Sequence, residues 1–467
     1  MVKYNLLKDL KNYKNGFHSS FFICYYLSFL PLIVSFLYCF FSLFQLTHFR
    51  FLYQHLQYSY LLILFPVLFL LFDITRVYLG KYKLRFSLRT FIKDYPETLC
   101  LFACLAWILL TCIFRLIIGS NITGFETNTS IFSLAQGFPF YLFYAMCFIF
   151  AFMLKSRKIT ENIILSFIIC STILVIFSLI DPTGKLGFQA IGNTNWCSVF
   201  FNSNYYGYYL CLTTILCFAT YMLRKSRAVK YCTLASGILH LFVCFMNNSL
   251  ACMLSVFIVL IIAPILFSMN LRKFDWHYIL PILSFIAISQ LSLIFAKNYY
   301  SNYENFFSQL GNMFLELFGL LKNPSSPLNF NFGTGRVELW SNSIKNILEC
   351  PIFGSGNTRS LPHSEYLQLG ETWGLPCLTF YLATIIIILI KSIKYLKVLS
   401  RLSLILLTCV LSYLISACFG CIMPHIAPYF IMLLAFFVRW SNVDIKKHKL
   451  QKQIQTEGIE ITDNNVL

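Results

Sequence analysis

Charge is what this chain has least of. Lys, Arg, Asp and Glu together make 12% of its 467 residues, about half of the roughly 25% usual in a soluble domain. Acid is scarcer still, with 18 Asp and Glu against 36 Lys and Arg. The sequence has no Asp-x-Asp pair, no His-Glu-x-x-His and no P-loop lysine. Those absences remove the usual signatures of nucleotide-sugar enzymes, zinc peptidases and ATPases. No repeat of an internal unit is visible, which disfavours a transporter built from duplicated halves. A cleavable signal peptide is not expected, because the first apolar run is too long and lacks a small-residue cleavage site. The 18 Cys lie mostly within apolar runs without regular spacing and are expected to pack as small hydrophobes. Disulfides among Cys197, Cys350 and Cys421 are not expected.

What the chain does have is apolar length. Hydrophobic residues make 58% of it, in windows near the roughly 20 residues that cross a bilayer core. A β-barrel would alternate instead. The expectation is an all-α polytopic membrane protein of about 12 spans, near 20–45, 58–75, 97–118, 138–154, 162–180, 205–222, 232–246, 250–268, 278–296, 374–390, 402–422 and 426–438. Basic residues fix its orientation. With the N-terminus inside, alternate connections hold most of the Lys and Arg. The outside ones hold only Arg50, Lys185, Lys297, Lys322, Arg336, Lys345 and Arg359. The net charge of +18 then reads as a topology signal and an attraction to anionic lipid heads, not as nucleic-acid binding. The implied organisation is a transmembrane bundle over 1–296, an extracytoplasmic loop over 297–373 between the ninth and tenth spans, further spans over 374–443, and a polar, unstructured cytoplasmic tail over 444–467.

The longest polar interval runs from Gly333 to Pro376. Val337, Trp340, Ile344 and Leu348 recur at helical spacing, Thr334 can cap the start, and Pro351 ends the pattern. Arg336 falls in the first turn, where free backbone N–H groups and a guanidinium together suit an anion. A solvated arginine is the plainer reading. His363 follows Pro362 and the turn Phe353-Gly354-Ser355-Gly356-Asn357. An imidazole there can accept a proton from a hydroxyl, although a lone loop His is often mere surface. Glu365 and Glu371 could tune it or simply be solvated. His425 could approach the site, whereas His240 lies within a span and reads as locally hydrogen-bonded. Arg115 sits in an apolar run, a costly place for charge, with snorkelling as the plain alternative. Arg115, Lys185, Arg336 and Arg359 are the cations that could hold a phosphate or pyrophosphate on the outer face.

Taken together, Gly335-Arg336 with Trp340, Pro351-Ile352-Phe353-Gly354-Ser355-Gly356, His363-Ser364-Glu365-Tyr366-Leu367 and Gly374 resemble the motif order of the O-antigen ligase and O-antigen polymerase superfamily. Asn202-Ser203-Asn204 with Gly207 resembles that family's Asn-Pro-Asn segment. The resemblance covers about residues 190–390. It implies a metal-independent glycosyltransferase of a bacterial cell membrane that needs no cofactor and takes a polyprenyl-pyrophosphate-linked glycan as donor. His363 would be the base or would position the acceptor, and Arg336 would hold the donor pyrophosphate. Trp340, Tyr366, Glu365 and Asn204 would face sugar or support the site. Ser364 stands where the family has Asn, and the turn Asn247-Asn248-Ser249-Leu250 lacks the family's Arg; Arg115 or Arg359 is expected to replace it. Polymerase and ligase stay open, with polymerase favoured. The acceptor is a glycan or glycolipid, and other polysaccharide-assembly proteins are possible partners. A polysaccharide flippase and a non-catalytic assembly protein are the readings from other classes.

Overall fold

The computed structural model describes residues 18–43, 92–118, 138–182, 196–200, 202–298, 304–322, 336–356, 362–420 and 426–457, with isolated positions within 67–75 and at 185–186. Among them every regular element is helical and there is no strand. The helices are α1 (His18–Leu43), α2 (Pro96–Ile118), α3 (Phe138–Phe152), α4 (Arg157–Ile180), α5 (Ser203–Leu223), α6 (Arg227–Asn247), α7 (Leu250–Leu271), α8 (Leu280–Ala296), α9 (Phe306–Lys322), α10 (Arg336–Glu349), α11 (Glu365–Trp373), α12 (Leu375–Lys394), α13 (Arg401–Ala417) and α14 (Ala427–Glu457). Among the described residues, eight helical stretches are long and apolar enough to cross a membrane, and α3 and α13 contain shorter apolar ones. The expected span at 58–75 lies almost wholly outside the described residues.

α5 is the axis of the bundle. Its apolar window is buried along its whole length, and it packs against α6, α7 and α13. A helix covered on every side needs no polar face, and Tyr206, Tyr209, Leu212, Leu216 and Phe218 point inward around its circumference. α2 pairs with α12, α3 with α14, and α1 with α4. These outer helices keep large side chains exposed, including Ile113 and Ile117 on α2 and Ile386 and Ile390 on α12, as a lipid-facing surface requires.

Ion pairs tie the helices at one end. Lys391 Nζ meets Glu97 Oε2 at 2.6 Å, Arg157 meets Asp444 at 2.6 Å, Arg224 meets Glu161 at 2.7 Å and Lys446 meets Asp94 at 2.6 Å. Asp444 also accepts hydrogen bonds from the Ser400 backbone and the Ser403 hydroxyl. The tail therefore departs from the sequence reading. α14 continues unbroken to Glu457, because Asp444 and Lys446 anchor its polar half to neighbouring helices.

Between α8 and α12, the three helices α9, α10 and α11 carry the long polar interval. α10 begins at Arg336 and ends before Pro351, as its spacing predicts. Its buried side, however, is Ser343 and Ile347, while Ile344 and Leu348 stay exposed. The reason is a carboxylate. Glu371 on α11 accepts hydrogen bonds from Ser343 Oγ and Asn346 Nδ2, both at 2.8 Å. That pulls the polar flank of α10 inward.

Candidate active site

The segment Pro351–Gly356 is a tight turn locked onto the end of α11. Ser355 N donates to Glu371 O at 2.7 Å, Gly356 N to Thr372 O at 3.2 Å, and Leu375 N to Pro351 O at 2.7 Å. Gly374, at φ +86°, has no room for a side chain, since a Cβ there would lie 2.0 Å from Ile352 O. Gly356, at φ +84°, lets the Arg115 guanidinium approach where a Cβ would meet Nη1 at 2.8 Å. Gly356 of the Pro-Ile-Phe-Gly-Ser-Gly motif and Gly374 at the end of α11 thus build a joint.

Arg115 belongs to this joint. It is 2% exposed, and its Nη2 donates to Phe353 O at 2.7 Å and Thr372 O at 2.6 Å. Its guanidinium lies over Trp373. Phe353 stacks on Phe114 with ring centroids 4.1 Å apart. The charge buried in α2 is therefore placed among carbonyls and an indole, fixing the polar interval to the bundle.

The described residues resume at Pro362, which precedes His363. The His363 backbone is left-handed, with φ +46°, a costly geometry for a non-glycine residue and one that clusters at functional sites. Its imidazole is pushed below its ordinary pKa, first by burial and then by the positive charge of Arg336. Arg336 lies over the Phe419 ring at 5.8 Å and acts electrostatically on Cys252. Trp340 also faces Phe419, at 6.4 Å. Phe419 O accepts from Tyr208 Oη at 2.7 Å.

The start of α5 and the α6–α7 turn meet beside these residues. Asn202 caps α5 by accepting from Asn204 N at 2.8 Å. Ser249 Oγ donates to Asn204 Oδ1 at 3.3 Å. Asn247 Nδ2 donates to Ser203 O at 2.9 Å and to Trp196 O. Gly207 makes this crossing possible, because a Cβ there would meet Asn247 Oδ1 and Cys252 Sγ, each at 2.8 Å. Four segments far apart in sequence thus converge: Asn202–Gly207, Asn247–Cys252, Arg336–Trp340 and His363–Tyr366.

Glu365 differs from the sequence reading of a solvated carboxylate. It is 1% exposed and accepts hydrogen bonds from Tyr381 Oη at 2.5 Å and Tyr413 Oη at 2.8 Å. Burial raises its pKa to about 7 against the opposing pull of those two hydroxyls. It borders a small cavity with Tyr208, Ser416 and Gly420. Tyr366 Oη donates to Leu414 O at 2.9 Å, so this side chain anchors α11 to α13. Lys185 is exposed in a turn after α4, and Arg359 and His425 lie outside the described residues. His240 packs in the bundle, with ring nitrogens 2.7 Å from Ser236 O and 3.0 Å from Ser171 Oγ.

Sequence reasoning missed three features. Glu371 as the bolt between α10 and α11 had one available signal, a carboxylate in an otherwise apolar helical turn. The Tyr381 and Tyr413 partners of Glu365 had none, since they sit in separate spans. Cys418 and Cys421 also form a Cys-x-x-Cys pair beside Phe419; Cys418 is a free, exposed thiol, and Cys421 is outside the described residues.

No protein-family model matches the chain. A search of curated proteins finds no match either.

Proposed function

We propose that this chain is a membrane glycosyltransferase of the O-antigen ligase and polymerase type, acting on a polyprenyl-pyrophosphate-linked oligosaccharide. The observation that carries the reading is the convergence of Arg336 and His363 with the Asn204 segment, the pieces on which the resemblance rests, beside the Ser249 turn. In this reading the chain has about twelve spans in a bacterial cell membrane, both termini are cytoplasmic, and 297–373 faces outward.

The chemistry follows from the two side chains. The acceptor hydroxyl attacks the anomeric carbon of the donor while its proton passes to the neutral His363 imidazole. A new glycosidic C–O bond forms, the C–O bond to pyrophosphate breaks, and the configuration inverts. Arg336 faces the departing pyrophosphate and balances the charge that develops on it. The depressed pKa of His363 keeps the base unprotonated at neutral pH. The acceptor is a second lipid-linked repeat unit in a polymerase or a terminal surface glycolipid in a ligase, and polymerase is favoured.

The test is a reconstituted transfer assay with a cognate polyprenyl-pyrophosphate oligosaccharide and no nucleotide. A ladder of lipid-linked glycan is the expected product, abolished in His363→Ala and Arg336→Ala. Transfer to added glycolipid alone would make the protein a ligase. No transfer with a verified donor and acceptor, together with variants that still complement in cells, would overturn the enzyme reading in favour of a transporter or assembly protein.

A further inference from the structure

A second concave site lies at the other end of α5. The cavity measures about 320 Å³, within the range of small-molecule sites. Its floor is apolar, formed by Leu165, Leu223, Val229, Leu402 and Ile405, and its rim carries Arg224, Lys225 and Arg401. These residues come from four helices: α4, the end of α5, the start of α6 and the start of α13. Glu161 is the acidic member of the lining, and it is engaged with Arg224 at 2.7 Å. Lys225 and Arg401 are exposed at the mouth. Ser226, the residue preceding α6, also lines the cavity and makes no side-chain capping bond, so the positive end of a 21-residue helix opens on the same space.

We propose that this cavity binds the phosphate headgroup and upper acyl chain of an anionic glycerophospholipid. Cations and a helix N-terminus at the rim select a phosphate, and basic pockets between membrane helices are suited to such headgroups. An apolar floor selects a ligand with an acyl chain over free phosphate, which would leave that floor wet. The site stands about 30 Å from Asn204, the rise of a helix the length of α5, so it is separate from the candidate active site and does not depend on the proposed transfer reaction. An occupant there would join the ends of α4, α5, α6 and α13, and of these α5, α6 and α13 also frame the candidate active site at their opposite ends.

The experiment is native mass spectrometry of the detergent-purified full chain titrated with phosphatidylglycerol, phosphatidylcholine or inorganic phosphate. The wild type is expected to retain phosphatidylglycerol in preference to phosphatidylcholine. Lys225→Ala/Arg401→Ala is expected to weaken that retention about 30-fold, since each surface cation contributes about fivefold. Arg272→Ala/Lys273→Ala, a basic pair in another turn, is the control and leaves retention unchanged. Val229→Phe, which fills the floor without altering charge, lowers retention through the acyl chain. Equal retention of both lipids by the wild type, or equal loss in the control pair, overturns the proposal. Competition by millimolar inorganic phosphate that matches lipid in strength also overturns it. Both cationic side chains are exposed, so a folded variant is expected, and a wild type without the preference overturns the proposal even where a variant does not fold.

Discussion

At the scale of single residues, two neighbours in sequence are set apart by their surroundings. His363 is half-buried beside a cation, and Glu365 is sealed between two phenols. Removing the Arg336 charge should raise the His363 pKa, because a nearby cation disfavours the imidazolium. In NMR titrations of isotope-labelled histidine, His363 is expected to titrate below its ordinary 6.5 and to move upward in Arg336→Gln. Burial persists in that variant, so the value should stay below 6.5. An unmoved titration would mean that the two groups do not sense each other. Glu365 has the opposite sign. Its pKa in the folded state is raised from 4.5 to about 7, so folding favours the protonated acid. The stability this group supplies is complete below pH 4.5 and is lost as pH rises through about 7. The span is worth roughly 3 kcal/mol. Glu365→Gln keeps an acceptor and a donor for the two tyrosines without a charge. The thermal midpoint of the variant should therefore exceed that of the wild type at pH 8 and approach it at pH 5. Identical pH slopes in the two proteins would contradict this.

At the scale of elements, the joint between the Pro351–Gly356 turn and α11 leaves no room for a side chain at Gly354 or Gly374. Gly374→Ala should destabilise it by more than the roughly 1–3 kcal/mol of a misplaced backbone conformation, since the added carbon would collide with Ile352 O. Gly311→Ala is the contrast. Nothing lies within 4 Å of a Cβ at that position on α9, and the change should stabilise by about 0.5–1 kcal/mol. Arg115→Ala should cost about 3 kcal/mol by stripping two charge-assisted bonds from buried carbonyls. Thermal midpoints of the three variants in detergent would rank as Gly311→Ala first, with the other two well below the wild type. This element also shows what the sequence could and could not convey. The bounds of α10 were readable from its spacing and from Pro351, and so was the presence of turns at the glycines. Which flank of α10 faces inward was not readable, because periodicity marks the apolar stripe and a single carboxylate, Glu371, outweighed it. The place of Arg115 was legible as an anomaly in an apolar run. Its partners were not, because Phe353 O and Thr372 O are more than two hundred positions away along the chain.

At the scale of the whole molecule, the two ends of the bundle differ in kind. One end has ion pairs, a basic-rimmed cavity and the polar half of α14. The other gathers His363, Arg336, Glu365 and the amide side chains of Asn204 and Asn247. The all-α membrane architecture was legible because bilayer thickness imposes a length that sequence displays directly. The convergence of four segments at one end was not legible, because it depends on how α5, α7, α10 and α13 pack. Both the proposed transfer reaction and the lipid cavity require these ends to lie on opposite sides of the membrane. Exposed lysines mark them: Lys185 in the turn after α4 and Lys225 at the mouth of the cavity. In a background with all 18 Cys replaced by Ser, Lys185→Cys should react with a membrane-impermeant maleimide on intact cells. Lys225→Cys should react only after permeabilisation. The reverse pattern would invert the bundle and place His363 and Arg336 in the cytoplasm, where a donor in the outer leaflet could not reach them. Labelling of both positions on intact cells would mean that α5 does not span the bilayer, and the convergence at its first turn would then need a different functional account.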